Sequence, residues 1–280
     1  MFACAVTAAS VLAYVLSPWL DYSWYKLFTR GVLVCVALGL WWLWRQLHLS
    51  PGSVGWQPGP PGACWILRTY GVGLLCSVPP ATVFVVTGYR VVDPEVQLLS
   101  FEWLLFLLQA MVGGLLVGLL EESLFRGVMW AWLCRNVPTL VTVLVTAFLY
   151  SSVHFVGVED ESLVQESNHV LAGWLVFFQA FQQFNQPLAI ADAWVCLFLL
   201  GCLFGYVRHI WGLWACVVLH AAFVFGLRTF KELTVRDVVN PYAHWVGGYD
   251  HFTGELVSVW VVVLGIGLFA WRRVARHTPP

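Results

Sequence analysis

Residues 1–20 contain no charged side chain, and the run from Thr69 to Tyr89 lies unbroken between Arg68 and Arg90. Such stretches match the roughly 20 apolar residues that a helix needs to cross a bilayer. The stretch 137–155 carries only His154, and 27–44, 98–120, 188–207, 210–227 and 256–271 are further candidates. Together they predict about eight spans, with 170–187 more amphipathic and its crossing left open. A soluble core would not absorb this chain, because 60% of its 280 residues are hydrophobic and only 10% charged, where soluble domains run near 25% charged. Runs of this length and composition predict an all-α, polytopic transmembrane helix bundle with a membrane-embedded polar site.

A net charge of −1 offers no basic face, so no nucleic-acid partner is expected. The eight cysteines are scattered through apolar runs without a C-x-x-C pair, and read as small buried hydrophobes. The N-terminus has no basic region and no small-residue cleavage site, which predicts a retained first span rather than a removed signal. "SPGSVGWQPGPPGA" (50–63) reads as a loop between spans. "WRRVARH" (271–277) puts Arg272, Arg273 and Arg276 just after the last span, and by the positive-inside rule faces the C-terminus to the cytoplasm, with the Arg208–His209 link on the same side. The acidic loop 156–168 weighs little in that rule. The expected location is the cell (inner) membrane.

The strongest exception to the apolar pattern is "GLLVGLLEESLFRGVMWAW" (114–132). On a helix Glu122 and Arg126 are i,i+4 neighbours, so they pair, whereas Glu121 projects about 100° away and is left over. An ionisable group at membrane depth costs several kcal/mol and marks a candidate functional site. A solvated helix end is the alternative. Against it, eight apolar residues follow Arg126, so the helix is expected to run on through the cluster.

Two histidines interrupt other apolar runs: His154 ends "VLVTAFLYSSVH" and His220 sits within "GLWACVVLHAAFVFGL". Each alone would pass as a satisfied core residue. Beside a membrane-embedded Glu pair they form a set able to activate water by general acid–base chemistry. His48, His169, His209, His244, His251 and His277 lie in loops or at span ends and are assigned no role.

Here the residues reach a known family. "EESLFR" (121–126) fits E-E-x-x-x-R, "YSSVH" (150–154) resembles F-x-x-x-H, and "HAAFV" (220–224) resembles H-x-x-x-N/D. In that order they resemble the CPBP family, glutamic intramembrane proteases that include type II CAAX prenyl endopeptidases and bacteriocin-processing homologues. The resemblance covers about 120–225. It implies that Glu121 is the general base which, with His154, activates water against a peptide carbonyl. It implies further that Glu122 and Arg126 shape the site, and that His220 contributes to the oxyanion pocket. No cofactor and no metal are implied. The implied partners are the lipid bilayer and a membrane-associated protein or peptide substrate: a prenylated C-terminus for the eukaryotic branch, a leader or sorting-tail peptide for the bacterial one. On this reading residues 1–95 hold N-terminal spans and the Pro/Gly loop, 96–230 the catalytic core, and 231–280 a loop, the last span and the basic tail.

This chain departs from the pattern twice. Tyr150 stands where the family has Phe, which keeps the ring and adds a hydroxyl. Val224 stands where it has Asn or Asp, and valine donates nothing. Tyr150, Ser151 and Ser152 are the candidate replacement donors, with Tyr150 favoured. Two alternatives stay open: a zinc-dependent membrane hydrolase using Glu121, Glu122, His154 and His220 as ligands, and a non-catalytic membrane binding or transport protein that keeps the fold.

Overall fold

The structure, a computed structural model, describes residues 2–20, 23–56, 61–157 and 172–277. The acidic loop from residue 158 onward and His169 lie outside the described residues. The chain divides into two compact units, Met1–Leu49 with Ser152–Ile190, and Ser50–Ser151 with Ala191–Pro280.

In the first unit, α1 (Phe2–Leu16) and α2 (Trp24–Gln46) pack on each other and α1 on the short α8 (Ala172–Gln179). Small residues set these contacts. Gly31 of α2 lies so close to Ala9 that an added Cβ would stand 3.2 Å from the Ala9 Cβ. The Gly173 amide donates to Ser10 Oγ at 3.1 Å. Val6, Trp24, Phe28, Ala172 and Val176 form the core of this unit.

The second unit contains α3 (Pro51–Val54), α4 (Ala63–Val86), α5 (Phe101–Glu122), a π-helical turn (Ser123–Met129), α6 (Trp130–Leu133) and α7 (Thr139–Val153). It continues with α9 (Pro187–Trp211), α10 (Leu213–Leu233) and α11 (Glu255–His277). Serines start several helices, as Ser50 and Ser100 accept the amides of Ser53 and Trp103, satisfying donors that a helix start leaves over. A two-stranded ribbon, β1 (Arg90–Val92) against antiparallel β2 (Thr234–Arg236), ties the end of α4 to the end of α10. Buried Arg90 locks it, donating to Thr234 Oγ1 at 2.8 Å and to the Thr234 carbonyl at 3.1 Å. Nearby, Lys231 bridges to Asp250 at 3.1 Å. Burial raises the Asp250 carboxyl, but Lys231 and the hydrogen bonds from Thr253 and Phe252 outweigh it and hold that carboxyl below its ordinary value.

Among the described residues, six helical segments are long and apolar enough to cross a membrane: Trp24–Gln46, Ala63–Val86, Phe101–Leu133, Pro187–Trp211, Leu213–Leu233 and Glu255–Ala275. The expected spans at 1–20 and 137–155 correspond to the shorter apolar helices α1 and α7. The chain is a multi-pass helical membrane protein. The described part of 170–187 does not cross: α8 has 8 residues and is followed by a 3-10 turn, Gln182–Asn185. At 1.5 Å per residue such a helix reaches about 12 Å, well short of the bilayer's apolar core.

Candidate active site

The central contact of the second unit is α5 against α10, and glycine makes it. Ala110, Gly114, Gly118 and Glu122 recur every four residues and form the buried stripe of α5. An added Cβ at Gly114 would stand 2.8 Å from the Ala221 carbonyl, and one at Gly118 would stand 2.9 Å from the Val217 carbonyl. Small residues at this spacing let membrane helices approach backbone to backbone. As α5 rises through 114 and 118, its partners on α10 fall from 221 to 217, so the helices are antiparallel. The next position on the stripe is Glu122, and the close approach delivers it to His220.

At that point Glu122 Oε1 is shared. His220 Nδ1 lies within hydrogen-bond distance of it at 2.8 Å, and Arg126 Nη1 donates to it at 3.2 Å. Glu122 and Arg126 have no exposed side-chain surface, and His220 has 6%. This burial overturns the solvated helix end. The expected Glu122–Arg126 pair is present, with His220 as a second partner that spacing along one helix does not reveal. Glu121 points differently: 30% of its side chain is accessible, and its Oε2 faces His220 Nε2 at 3.8 Å. One imidazole thus stands between two carboxylates, Nδ1 toward the wholly buried Glu122 and Nε2 toward the inward Oε2 of the partly exposed Glu121.

The helix does run on past the cluster, but Ser123–Met129 is a π-helical turn before α6 resumes. Widened turns of this kind occur often at functional sites. The turn sets Arg126 into a cage of rings, its guanidinium carbon 4.5 Å from the Tyr150 centroid, 5.5 Å from Phe204 and 5.8 Å from Phe125. Its Nη2 donates to the Gly201 carbonyl at 3.0 Å. At the same residue α7 and α9 touch closely, since a Cβ at Gly201 would stand 2.9 Å from the Ala147 Cα. Phe204 also stacks under His220, at 5.3 Å and 15°.

Tyr150 is wholly buried, its ring 6.2 Å from His220 and at right angles to Phe125. Val224 follows His220 by one turn and lies on the side of α10 that faces Gly114. His154 stands half-buried in the turn just past α7, within the first unit. The structure therefore brings together Glu121, Glu122, Arg126, Tyr150 and His220. Sequence reasoning missed Gly201 and Phe204, which carry no motif of their own, and Gly114 and Gly118, whose four-residue spacing was a readable signal.

Residues 103–226 match the family model described as type II CAAX prenyl endopeptidase Rce1-like. Comparison with curated proteins and with solved structures gave no match. The matched segment contains all three motifs and every residue of the buried cluster. Over residues 103–226 the chain is similar to the Rce1-like type II CAAX prenyl endopeptidases, which supports the CPBP resemblance that its three motifs carry.

Proposed function

We propose that the chain hydrolyses a peptide bond of a membrane-associated protein or peptide, with Glu121 and His154 activating the water. The family match over residues 103–226 supports the coarser statement, a CAAX-type intramembrane protease. The observation that carries the finer one is the inequality of the two glutamates. Glu122 is sealed between Arg126 and His220, whereas Glu121 keeps part of its side chain accessible beside them. A base must reach water, and of the two residues Glu121 is the one whose side chain keeps accessible surface.

In this mechanism Glu121 takes a proton from water, and the hydroxide attacks the peptide carbonyl carbon. The oxyanion accepts a hydrogen bond from His220 Nε2–H. Collapse breaks the C–N bond, and the proton held by Glu121 passes to the leaving amine. His220 donates at Nε2 while its Nδ1–H is held by Glu122, so it acts as the imidazolium; two carboxylates then balance two cations. Preplaced donors of this kind act most strongly in a dry site. His154 enters on its motif, as Glu121's partner toward the water. The substrate lies in or on the bilayer, and the arginines at the C-terminal end of α11 (Arg272, Arg273 and Arg276) support a cell-membrane protein with a cytoplasmic C-terminus.

The positive charge of Arg126 sits against the carboxylate that a dication would otherwise neutralise, which favours the metal-independent reaction over a zinc hydrolase. Cleavage should therefore survive EDTA and phenanthroline. Protein fragments from membranes with and without the chain would identify a substrate, and loss of that cleavage to chelator, restored by zinc, would reverse the choice.

Val224 supports the non-catalytic reading, because it offers only two methyls one turn from His220, on the side of α10 that faces Gly114. Burial of Tyr150 among Arg126, Phe125 and His220 supports the opposite: a hydroxyl has entered the cluster that lost an amide. Tyr150→Phe should then lower turnover by about 100-fold or more, the usual cost of one oxyanion donor, and adding Val224→Asn should restore part of it. Rates of the single and double variants at equal folded protein decide the matter. A silent Tyr150→Phe beside an inactive His220→Ala would leave His220 as the pocket's one donor.

A further inference from the structure

We propose that Arg208 is a positioning residue for this cleavage: it fixes the backbone of the π-helical turn on which the glutamates and Arg126 depend, and the proposal rests on the protease reading above. Arg208 is the last-turn arginine of α9, which charge counting alone treats as a marker of membrane side. Instead its guanidinium folds back onto main chain. Nε donates to the Arg126 carbonyl at 2.7 Å, and Nη2 to the Val54 and Ser53 carbonyls at 3.1 and 3.3 Å. Its guanidinium carbon also lies 6.0 Å from the Trp130 ring. Space for it is built in. Gly55, which ends α3, has φ +101°, and a Cβ there would stand 2.8 Å from Arg208 Nη2.

The consequence runs through one residue. α9 holds Arg126 at both ends, its side chain through the Gly201 carbonyl and its backbone through Arg208. A π turn is a rare, single-turn departure from the α-helix on either side, and the outside donor on its main chain helps to fix where it sits. If residue 126 shifts, the guanidinium carries Glu122 with it, and Glu122 orients His220. A misplacement of about 1 Å in such a set costs on the order of 100-fold in rate. Lysine cannot replace the fork, because it lacks the two diverging donors that reach Arg126 and the α3 carbonyls together.

The test uses full-length Arg208→Lys and Arg208→Gln in detergent or nanodiscs. Two reporter peptides are supplied, one with a prenylated Cys-a-a-X C-terminus and one a leader peptide. Per folded molecule, kcat should fall about 10- to 100-fold with KM unchanged, since Arg208 does not touch substrate. Amide hydrogen exchange at residues 127–131 should speed up, and Gly55→Ala, which crowds the guanidinium, should reproduce both effects. Added guanidinium ion should recover part of the rate of Arg208→Gln. Wild-type kcat in the folded variants, or unchanged exchange at 127–131, would overturn the proposal. A lower unfolding temperature with full specific activity would reduce Arg208 to a merely structural tie. A wild-type chain that cleaves neither reporter would sink the protease reading instead, while the exchange measurement still reports whether Arg208 holds the turn.

Discussion

Glu121→Gln should leave the protein folded in the membrane and remove its proteolysis. The change is nearly isosteric, and Glu121 lies outside the buried contact that Glu122 makes with Arg126 and His220. Its partial exposure means that no sealed charge is stranded by the substitution. The amide cannot take a proton from water, and loss of a positioned base costs about 100- to 10,000-fold. Glu122→Gln should also lower the rate, but by another route: it weakens the carboxylate that holds His220 Nδ1 and Arg126, so folded yield should fall with activity. Turnover of an identified substrate, with folded protein measured in parallel, separates the two. Glu121→Gln retaining most of the wild-type turnover would end its role as base.

The membrane spans were legible in the sequence because lipid imposes one demand on every span, a long apolar run, and runs such as Thr69–Tyr89 meet it without help from neighbours. The stretch 170–187 shows the limit of that logic. Its aromatic residues read as a possible crossing, but Gln179, Gln182 and Gln183 break the run and the described helix is too short. The pairing of Glu122 with Arg126 was also legible, being local to one helix. The contact with His220 was not, because it joins residues 98 apart and depends on Gly114 and Gly118 bringing α10 against α5. The π turn left no trace, since nothing in the residue types of Ser123–Met129 sets a widened turn apart from an α-helical one. Arg208 was visible only as charge. Nothing local distinguishes an arginine facing water from one folded onto the Arg126 carbonyl.

Arg126→Ala should cost the fold as well as the reaction. Both members of the Glu122–Arg126 pair are fully buried, and Arg126 also donates to Gly201 and fills the space among Tyr150, Phe204 and Phe125. Removing one partner of a buried pair leaves an uncompensated charge, typically at about 3–5 kcal/mol. Here His220 remains against Glu122 and softens the loss, so the lower end of that range is the expectation. The double substitution Glu122→Gln with Arg126→Met separates charge from volume. It leaves no buried ion and roughly refills the cage, so its unfolding midpoint and yield should recover most of what Arg126→Ala loses, because neutral replacements of buried pairs are often tolerated. Turnover should not recover, since His220 would have lost the carboxylate that keeps its second proton in place. Arg126→Ala unfolding at the wild-type midpoint would show that the pair contributes nothing to the fold. A double variant that regained both stability and cleavage would mean that the pair only fills space, and that Glu121 and His220 need no charge behind them.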